Sequence, residues 1–189
     1  MPQSSPRTSG TTVVLIVLGV FAAIAILCCA GGGLLFMRLG GRDMFACSDL
    51  TMKGEYKKAI PACRSEVAKI PRSADGHNNL AWCLTLDGQV PEGVVEARKA
   101  VELLPQRNHY DTLAMALALS GQSQEAMQIE TEHVMINGQV ANNSERVTLG
   151  AVYYSAGRKE EAHAQWEIAR KGSEPQAQKL ATEFEAKYP

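Results

Sequence analysis

Residues 149–169, LGAVYYSAGRKEEAHAQWEIA, decide the fold of this 189-residue chain. Leu149 and Tyr153 are four residues apart, which is the spacing of one face of an α-helix. Gly157 interrupts the apolar pattern, and the pattern then resumes and runs through Trp166. The stretch therefore predicts two helices that are joined by a turn centred on a glycine.

The same arrangement recurs along the chain. Glycines stand at intervals of 34, 33 and 36 residues, at Gly54, Gly88, Gly121 and Gly157. Each glycine follows an apolar stretch of helical spacing and precedes a small residue by five positions, at Ala59, Gly93, Ala126 and Ala162. A period of this length indicates repeats of one supersecondary unit, in which each unit buries its apolar face against the next.

The fourth unit resembles the tetratricopeptide repeat (TPR), because it has that family's residue types at that family's spacing. The matching residues are Leu149, Gly150, Tyr153, Gly157, Ala162, Trp166 and Ala169. The second and third units match in part, and the first is weaker but keeps its glycine and Pro71. The resemblance covers residues 40–174. It implies an all-α fold, a right-handed α-solenoid of four helix-turn-helix units at 40–73, 74–106, 107–142 and 143–174.

The third unit departs from the repeat, and the chain continues beyond the fourth. Glu130 and His133 stand where the family has an aromatic residue and an alanine, and we expect a longer, looser connection at 138–143. Residues 175–189 have helical apolar spacing, which predicts an amphipathic capping helix over the last unit. Ser173 and Gln176 have the spacing of a capping box at the start of that helix.

The N-terminal part carries a separate signal. Residues 13–37 are almost all apolar, and 25 residues at 1.5 Å each would extend about 37 Å, which exceeds a hydrocarbon core of about 30 Å. We expect a transmembrane helix at 12–38 after a short polar tail at 1–11. The alternative is a cleaved signal peptide with a cut after Ala30, although cleavage would leave an exposed apolar stub.

Composition and motifs argue against several classes of function. Residues 73–189 hold 10 basic against 16 acidic residues, and no basic stripe suited to nucleic acid stands out. The sequence contains no phosphate-binding glycine loop, nucleophile motif or paired CxxC, and no metal-ligand spacing links its histidines, His77, His109, His133 and His163. We therefore expect no enzymatic activity, no metal, no cofactor and no small-molecule substrate.

Two cysteines have a structural implication. Cys47 and Cys63 are placed 16 residues apart on the two facing helices of the first unit, where a disulfide is geometrically possible. In an oxidising compartment such a bond would stabilise this membrane-proximal unit by about 3 kcal/mol. Two free buried thiols are an equally good interpretation, and Cys83 has no partner in the pattern.

The resemblance also implies a function. In tetratricopeptide proteins the first helices line a concave groove that takes a peptide or a segment of a partner, and the groove positions fall here at Asn78, Trp82, Thr85, Asp111, Met115, Val147 and Tyr154. Several of these are large apolar residues of the type that anchors interfaces. The family's clamp for acidic peptide ends needs Lys and Arg in this groove, and only Asn79 matches its pattern, so a co-chaperone role is not expected.

We therefore expect a membrane-anchored scaffold or assembly factor that binds another protein near the bilayer. The alternative is a permanently docked accessory subunit of an envelope enzyme or translocation machine. Positive charge at Arg38, Arg42 and Lys53 favours a cytoplasmic repeat domain, whereas the short tail and the cysteine pair favour an exported one. We expect the exported orientation, because long domains cross membranes largely regardless of their charge.

Overall fold

The structure is a computed structural model that describes residues 46–189. These residues are helical apart from turns and one isolated β-bridge between Ile136 and Gln139, which confirms the all-α fold class for this part of the chain. The predicted tail at 1–11 and the predicted transmembrane helix at 12–38 lie outside the described residues. Within 46–189, no helix combines the length and the apolar composition needed to cross a membrane.

Nine α-helices and one π-helical segment follow one another in the described range. The helices are α1 Ala46–Met52, α2 Tyr56–Lys69, α3 Ala74–Leu86, α4 Val90–Leu103, α5 Arg107–Leu119, α6 Ser123–Ile129, α7 Asn143–Ser155, α8 Lys159–Lys171 and α9 Pro175–Lys187. The π-helix continues α6 over Glu130–Val134. Helices α1 to α8 form successive hairpins, and α3, α5 and α7, the first helices of hairpins two to four, also pack against each other in that order.

The four glycines of the sequence period all have positive φ angles, between 71° and 87°, at Gly54, Gly88, Gly121 and Gly157. Each ends the first helix of its hairpin with the same two hydrogen bonds. In the second hairpin, the amide of Gly88 donates to the Thr85 carbonyl at 3.3 Å and the amide of Gln89 donates to the Leu84 carbonyl at 2.8 Å. A side chain would be strained in this backbone region, so glycine is needed at each turn. The helical repeat-like architecture is thus present in the described residues.

Small residues allow the two helices of a hairpin to approach closely. Gly150 on α7 faces Trp166 on α8, and a Cβ atom at position 150 would collide with the indole ring. The ring is fully buried, and its Nε1 donates to the Val147 carbonyl at 3.1 Å. The fourth hairpin is therefore built around one tryptophan that fits only against a residue without a side chain.

The third hairpin is irregular in the region where its sequence departs from the repeat. Helix α6 has only seven residues before the π-helix begins at Glu130, whose side chain is fully buried. The chain then makes a tight turn, in which Asn137 and Gly138 have φ angles of 52° and 74°. Asn142 begins α7 by accepting a hydrogen bond from the Glu145 amide at 2.9 Å. The expected loose connection is thus a defined turn, because paired backbone groups and the N-cap fix its ends.

The predicted capping box at the start of α9 is wrong. Helix α9 begins at Pro175 with Glu174 as its N-cap, and no side chain caps it. Proline suits the first helical position because the backbone N–H group that it lacks would have no partner within the helix there. The Gln176 carboxamide is used elsewhere, since its Nε2 donates to the Thr51 carbonyl at 3.0 Å and to the Tyr56 hydroxyl at 3.1 Å. The last helix therefore contacts the first hairpin.

The first hairpin is linked covalently. Cys47 on α1 and Cys63 on α2 form a disulfide with an S–S distance of 2.07 Å and a Cα–Cα distance of 4.6 Å. Cys83 on α3 is a buried free thiol, and its Sγ lies 3.2 Å from the Thr51 hydroxyl. Burial raises the pKa of the Cys83 thiol to about 11, which keeps it in the unreactive protonated form.

Candidate functional site

Most of the predicted groove residues lie inside the molecule. Thr85, Met115 and Val147 are almost completely buried, and Trp82 and Asp111 are only 8% and 7% exposed. Asn78 and Tyr154 are partly buried. The inner surface of the first helices is therefore largely covered, rather than an open groove along its whole length.

Thr85 packs against Gly93 on α4 of its own hairpin, and helix α9 lies over a neighbouring part of the surface. Its buried residues Leu180 and Phe184 line a small cavity of about 110 Å³ together with Thr85, Leu86 and Leu119 from the C-terminal parts of α3 and α5. Apolar burial of this kind is the main favourable term in helix docking. The amphipathic helix that the sequence predicts as a cap over the last unit thus also covers residues of the second and third hairpins.

Tyr154 takes part in an aromatic cluster. Its ring centroid lies 6.0 Å from that of Trp166 and 5.0 Å from that of Tyr188, and Phe184 lies 5.6 Å from Trp166. Tilted aromatic pairs at these distances are favourable packing arrangements. In this structure Tyr154 packs in the core between the fourth hairpin and the C-terminal residues.

An open cavity of about 190 Å³ remains at the other end of the inner surface. We call it the asparagine-lined cavity. Its walls come from α1, from the N-terminal parts of α3, α5 and α7, and from the start of α9, and they comprise Thr51, Met52, Asn78, Asn79, Trp82, Asn108, Asp111, Thr112, Ser144 and Gln176. The cavity brings together three predicted groove residues, Asn78, Trp82 and Asp111, whereas Thr85, Met115, Val147 and Tyr154 lie outside it.

Sequence reasoning missed several residues of the cavity. Asn108 stands one helical turn before Asp111, and Ser144 stands one turn before Val147. That spacing places them on the same helix faces as the predicted positions, so the signal was present. Gln176 had no such signal, because it reaches the cavity through a contact between residues more than a hundred positions apart.

Beside the cavity lies a cluster of buried charges. Arg107 donates from Nη2 to Glu145 Oε2 at 2.6 Å, and Glu145 also accepts hydrogen bonds from the Ala141 amide and the Asn142 side chain. Asp111 lies one turn after Arg107, and no partner among the described residues reaches its Oδ1. Both carboxyl oxygens of the buried Glu130 likewise lack a partner within 46–189. Unpaired buried acids are expensive in their charged form.

The pKa values of these acids are raised accordingly. Burial raises the pKa of Asp111 to about 7 and the charge of Glu145 adds to the effect, whereas the Thr148 hydroxyl and the charge of Arg107 oppose it. Burial also raises the pKa of Glu130 to about 9, reinforced by the charges of Asp111 and Glu145. Glu130 is therefore protonated at neutral pH, while Asp111 is close to its midpoint.

Histidines in the described chain have structural contacts. His77 Nδ1 lies 2.5 Å from Glu96 Oε2, and His109 is buried between the Leu104 carbonyl at 2.8 Å and Asp75 at 3.0 Å. Among the residues that the structure describes, no group of three or more His, Cys, Asp or Glu side chains is arranged to hold a metal ion.

No protein-family model matches the chain, and no curated protein matches its sequence. The resemblance to the tetratricopeptide repeat is therefore carried by the residues of the four units quoted above.

Proposed function

We propose that this protein is a membrane-anchored scaffold of the tetratricopeptide type, which binds a segment of another protein in the asparagine-lined cavity. One observation carries the proposal. One cavity that opens to solvent is lined by predicted groove residues of two units, Asn78 and Trp82 of the second and Asp111 of the third. Asn78 and Asp111 occupy equivalent repeat positions, 33 residues apart. A cavity that combines an aromatic wall with several hydrogen-bonding groups is typical of a recognition site.

The four equivalent glycine turns support the family assignment in this proposal. Each turn repeats the same positive φ and the same pair of hydrogen bonds, and the first helices of hairpins two to four pack in chain order. A right-handed α-solenoid of four units with a capping helix is the arrangement that best accounts for such a regular series.

The membrane anchor is part of the same proposal and is supported by the apolar segment 12–38. The bond between Cys47 and Cys63 supports an exported repeat domain, because disulfides persist in oxidising compartments. In this orientation the cavity would face partners on the extracytoplasmic side of the membrane.

The size of the open space limits what can bind. Helix α9 covers the inner surface near Thr85 and Leu119, so the part left accessible is a cavity of about 190 Å³. We therefore propose that the partner inserts a short segment with one or two side chains, rather than laying a long helix along the whole surface.

The proposal is tested by crosslinking pull-downs from native membranes. The variant carries Asn79→Ala and Asn108→Ala, two changes at the cavity wall that remove hydrogen-bonding groups without removing core packing. We expect partner recovery to fall at least about tenfold, as for the loss of two interface hydrogen bonds. Gln124→Ala, at an exposed position on α6, is the matched control and should retain recovery. Equal recovery by both proteins would contradict the proposal.

The burial of most predicted groove residues favours a second candidate, a permanently docked accessory subunit of an envelope enzyme or translocation machine. Such a subunit would use its outer surface, where Val95 and Ile136 are exposed apolar residues. Size-exclusion chromatography of detergent extracts separates the two candidates. An obligate subunit would co-migrate with a large complex even when Asn79 and Asn108 are replaced, whereas a cavity-binding scaffold would be released from its partner by these changes.

A further inference from the structure

Asp111 is the one acidic residue on the wall of the asparagine-lined cavity. The residue is 93% buried, and its Oδ1 has no hydrogen-bond partner within the described chain. Arg107, the cation that lies beside it, is held by Glu145 at 2.6 Å. The negative charge of Asp111 is therefore poorly compensated at the wall of a cavity that solvent can enter.

The surroundings of the cavity reinforce this imbalance. No residue on its wall is basic, as far as the described part of the chain shows. The charge of Glu145 adds to the rise in the pKa of Asp111, and the Thr148 hydroxyl and the charge of Arg107 oppose it. A charged carboxylate that is desolvated without a partner is unfavourable, and an incoming cation would relieve this cost.

The neutral part of the wall offers further acceptors. Asn78, Asn79, Asn108 and Ser144 line the same cavity as Asp111 and carry carboxamide and hydroxyl oxygens, and the buried Oδ1 atom of Asn78 also lacks a partner among residues 46–189. An arginine side chain has five N–H donors in a planar fork and no acceptor, so it suits a wall that carries one carboxylate and several separate oxygens.

We propose that the asparagine-lined cavity receives an arginine side chain of the partner protein, whose guanidinium pairs with the Asp111 carboxylate and donates to the asparagine oxygens around it. This inference rests on the proposed function and names the chemistry of the segment that binds. It predicts a binding motif with one essential arginine, for which a neutral side chain of the same shape is a poor substitute.

The pH dependence of binding should follow the ionisation of Asp111. Its pKa of about 7 reflects burial first, and Glu145 on α7 raises it further, whereas the Thr148 hydroxyl on α7 and Arg107 on α5 lower it. The pKa of Glu130 on the π-helix is also raised, so Glu130 is protonated at neutral pH. A guanidinium binds the ionised carboxylate, so affinity should increase from pH 6 to pH 8. The side chains of Thr112 and Gln176, which also line the cavity, do not titrate in this range.

The test uses the full chain in detergent micelles and two synthetic peptides, Gly-Ser-Arg-Ser-Gly and the same peptide with citrulline in place of arginine. Citrulline keeps the shape of arginine and removes its charge. Binding is followed by NMR shifts of the side-chain amides of Asn79 and Asn108. We expect saturable shifts with the arginine peptide, about tenfold weaker affinity for the citrulline peptide, and a similar loss in Asp111→Asn. Asp87→Asn, at an exposed position, is the control and should bind like the wild type.

The inference is overturned if the arginine peptide causes no shifts at these amides, if both peptides bind equally, or if Asp111→Asn binds as the wild type does. If that variant does not fold, equal wild-type affinity at pH 6 and pH 8 overturns it instead. The pull-down separates this inference from the proposed function. Partner recovery that survives Asp111→Asn but not Asn79→Ala with Asn108→Ala would reject the arginine and keep the cavity as the binding site.

Discussion

Gly150 shows how one residue fixes the geometry of a hairpin. The indole of Trp166 occupies the space that a side chain at position 150 would fill. We expect Gly150→Leu to destabilise the protein by at least about 1 to 3 kcal/mol, the usual range for overpacking a core. Chemical denaturation of the full chain measures this loss. Ala164→Leu introduces the same side chain at an exposed position of α8 and should leave stability nearly unchanged. Equal stability of the two variants would contradict the packing described for the fourth hairpin.

The buried Glu130 carboxyl makes stability depend on pH. Its pKa is raised to about 9 in the folded protein, so the folded state binds the proton more tightly than the unfolded state does. The contribution of Glu130 to the free energy of unfolding should therefore be largest at acidic pH and should fall as the pH rises from about 4.5 to about 9. We expect the urea midpoint to decrease between pH 6 and pH 9.

The variant Glu130→Gln identifies the source of this decrease. It removes one of the two buried acids whose pKa values are raised, the other being Asp111, so it should reduce the dependence of the urea midpoint on pH, while Glu132→Gln at an exposed neighbouring position should not. A wild-type midpoint that rises with pH would show that the side chain of Glu130 is ionised in the folded protein.

At the scale of elements, α9 does more than cover the last hairpin. Phe184 is buried against Trp166 and Tyr188, with ring centroids 5.6 Å and 5.5 Å away, and it also lines the cavity beside Thr85 and Leu86. We expect Phe184→Ala to lower the free energy of unfolding by about 3 to 5 kcal/mol, as is typical for a core phenylalanine. Thr182 is exposed on the same helix, so Thr182→Ala is the control: it also introduces alanine into α9 but removes no core side chain. If the two variants lost the same free energy of unfolding, Phe184 would not pack in the core and α9 would not be held against the hairpins as described.

The disulfide of the first hairpin can be checked directly. Cys47 and Cys63 are bonded and Cys83 is a buried free thiol. Non-reducing mass mapping of protein from native membranes should find the Cys47 and Cys63 peptides joined and Cys83 free after denaturation. Free thiols at both Cys47 and Cys63 would contradict both this linkage and the exported orientation that we propose for the repeat domain.

The sequence predicts some structural elements of this chain and not others. The period of 34, 33 and 36 residues located all four glycine turns, because a positive φ restricts the residue type at each of them. The π-helix at Glu130–Val134 could not be predicted, although the missing aromatic residue marked its position. The capping box at Ser173 and Gln176 failed because a local spacing rule cannot anticipate a long-range hydrogen bond from Gln176 to Thr51.

At the scale of the whole molecule, the contact between the last helix and the first hairpin determines which surface can bind. Three of the residues that the resemblance assigns to a groove, Asn78, Trp82 and Asp111, line one cavity, since equivalent repeat positions share a helix face. The resemblance did not predict the burial of Thr85, which packs against Gly93 of its own hairpin, or that of Met115. The contact of α9 with the first hairpin joins distant units, so the repeat period does not contain it. The asparagine-lined cavity is the part of the inner surface that stays accessible.

Site-specific photocrosslinking in native membranes tests the central claim that the asparagine-lined cavity binds a partner protein. A photoreactive residue replaces Asn108 at the exposed rim of the cavity, and a second protein carries it at Gln124 on the outer surface of α6 as the control. We expect one discrete crosslinked product at position 108, reduced by Asp111→Asn, and none of that size at position 124. A product of that size formed only at position 124, or equally at both positions, would contradict the account.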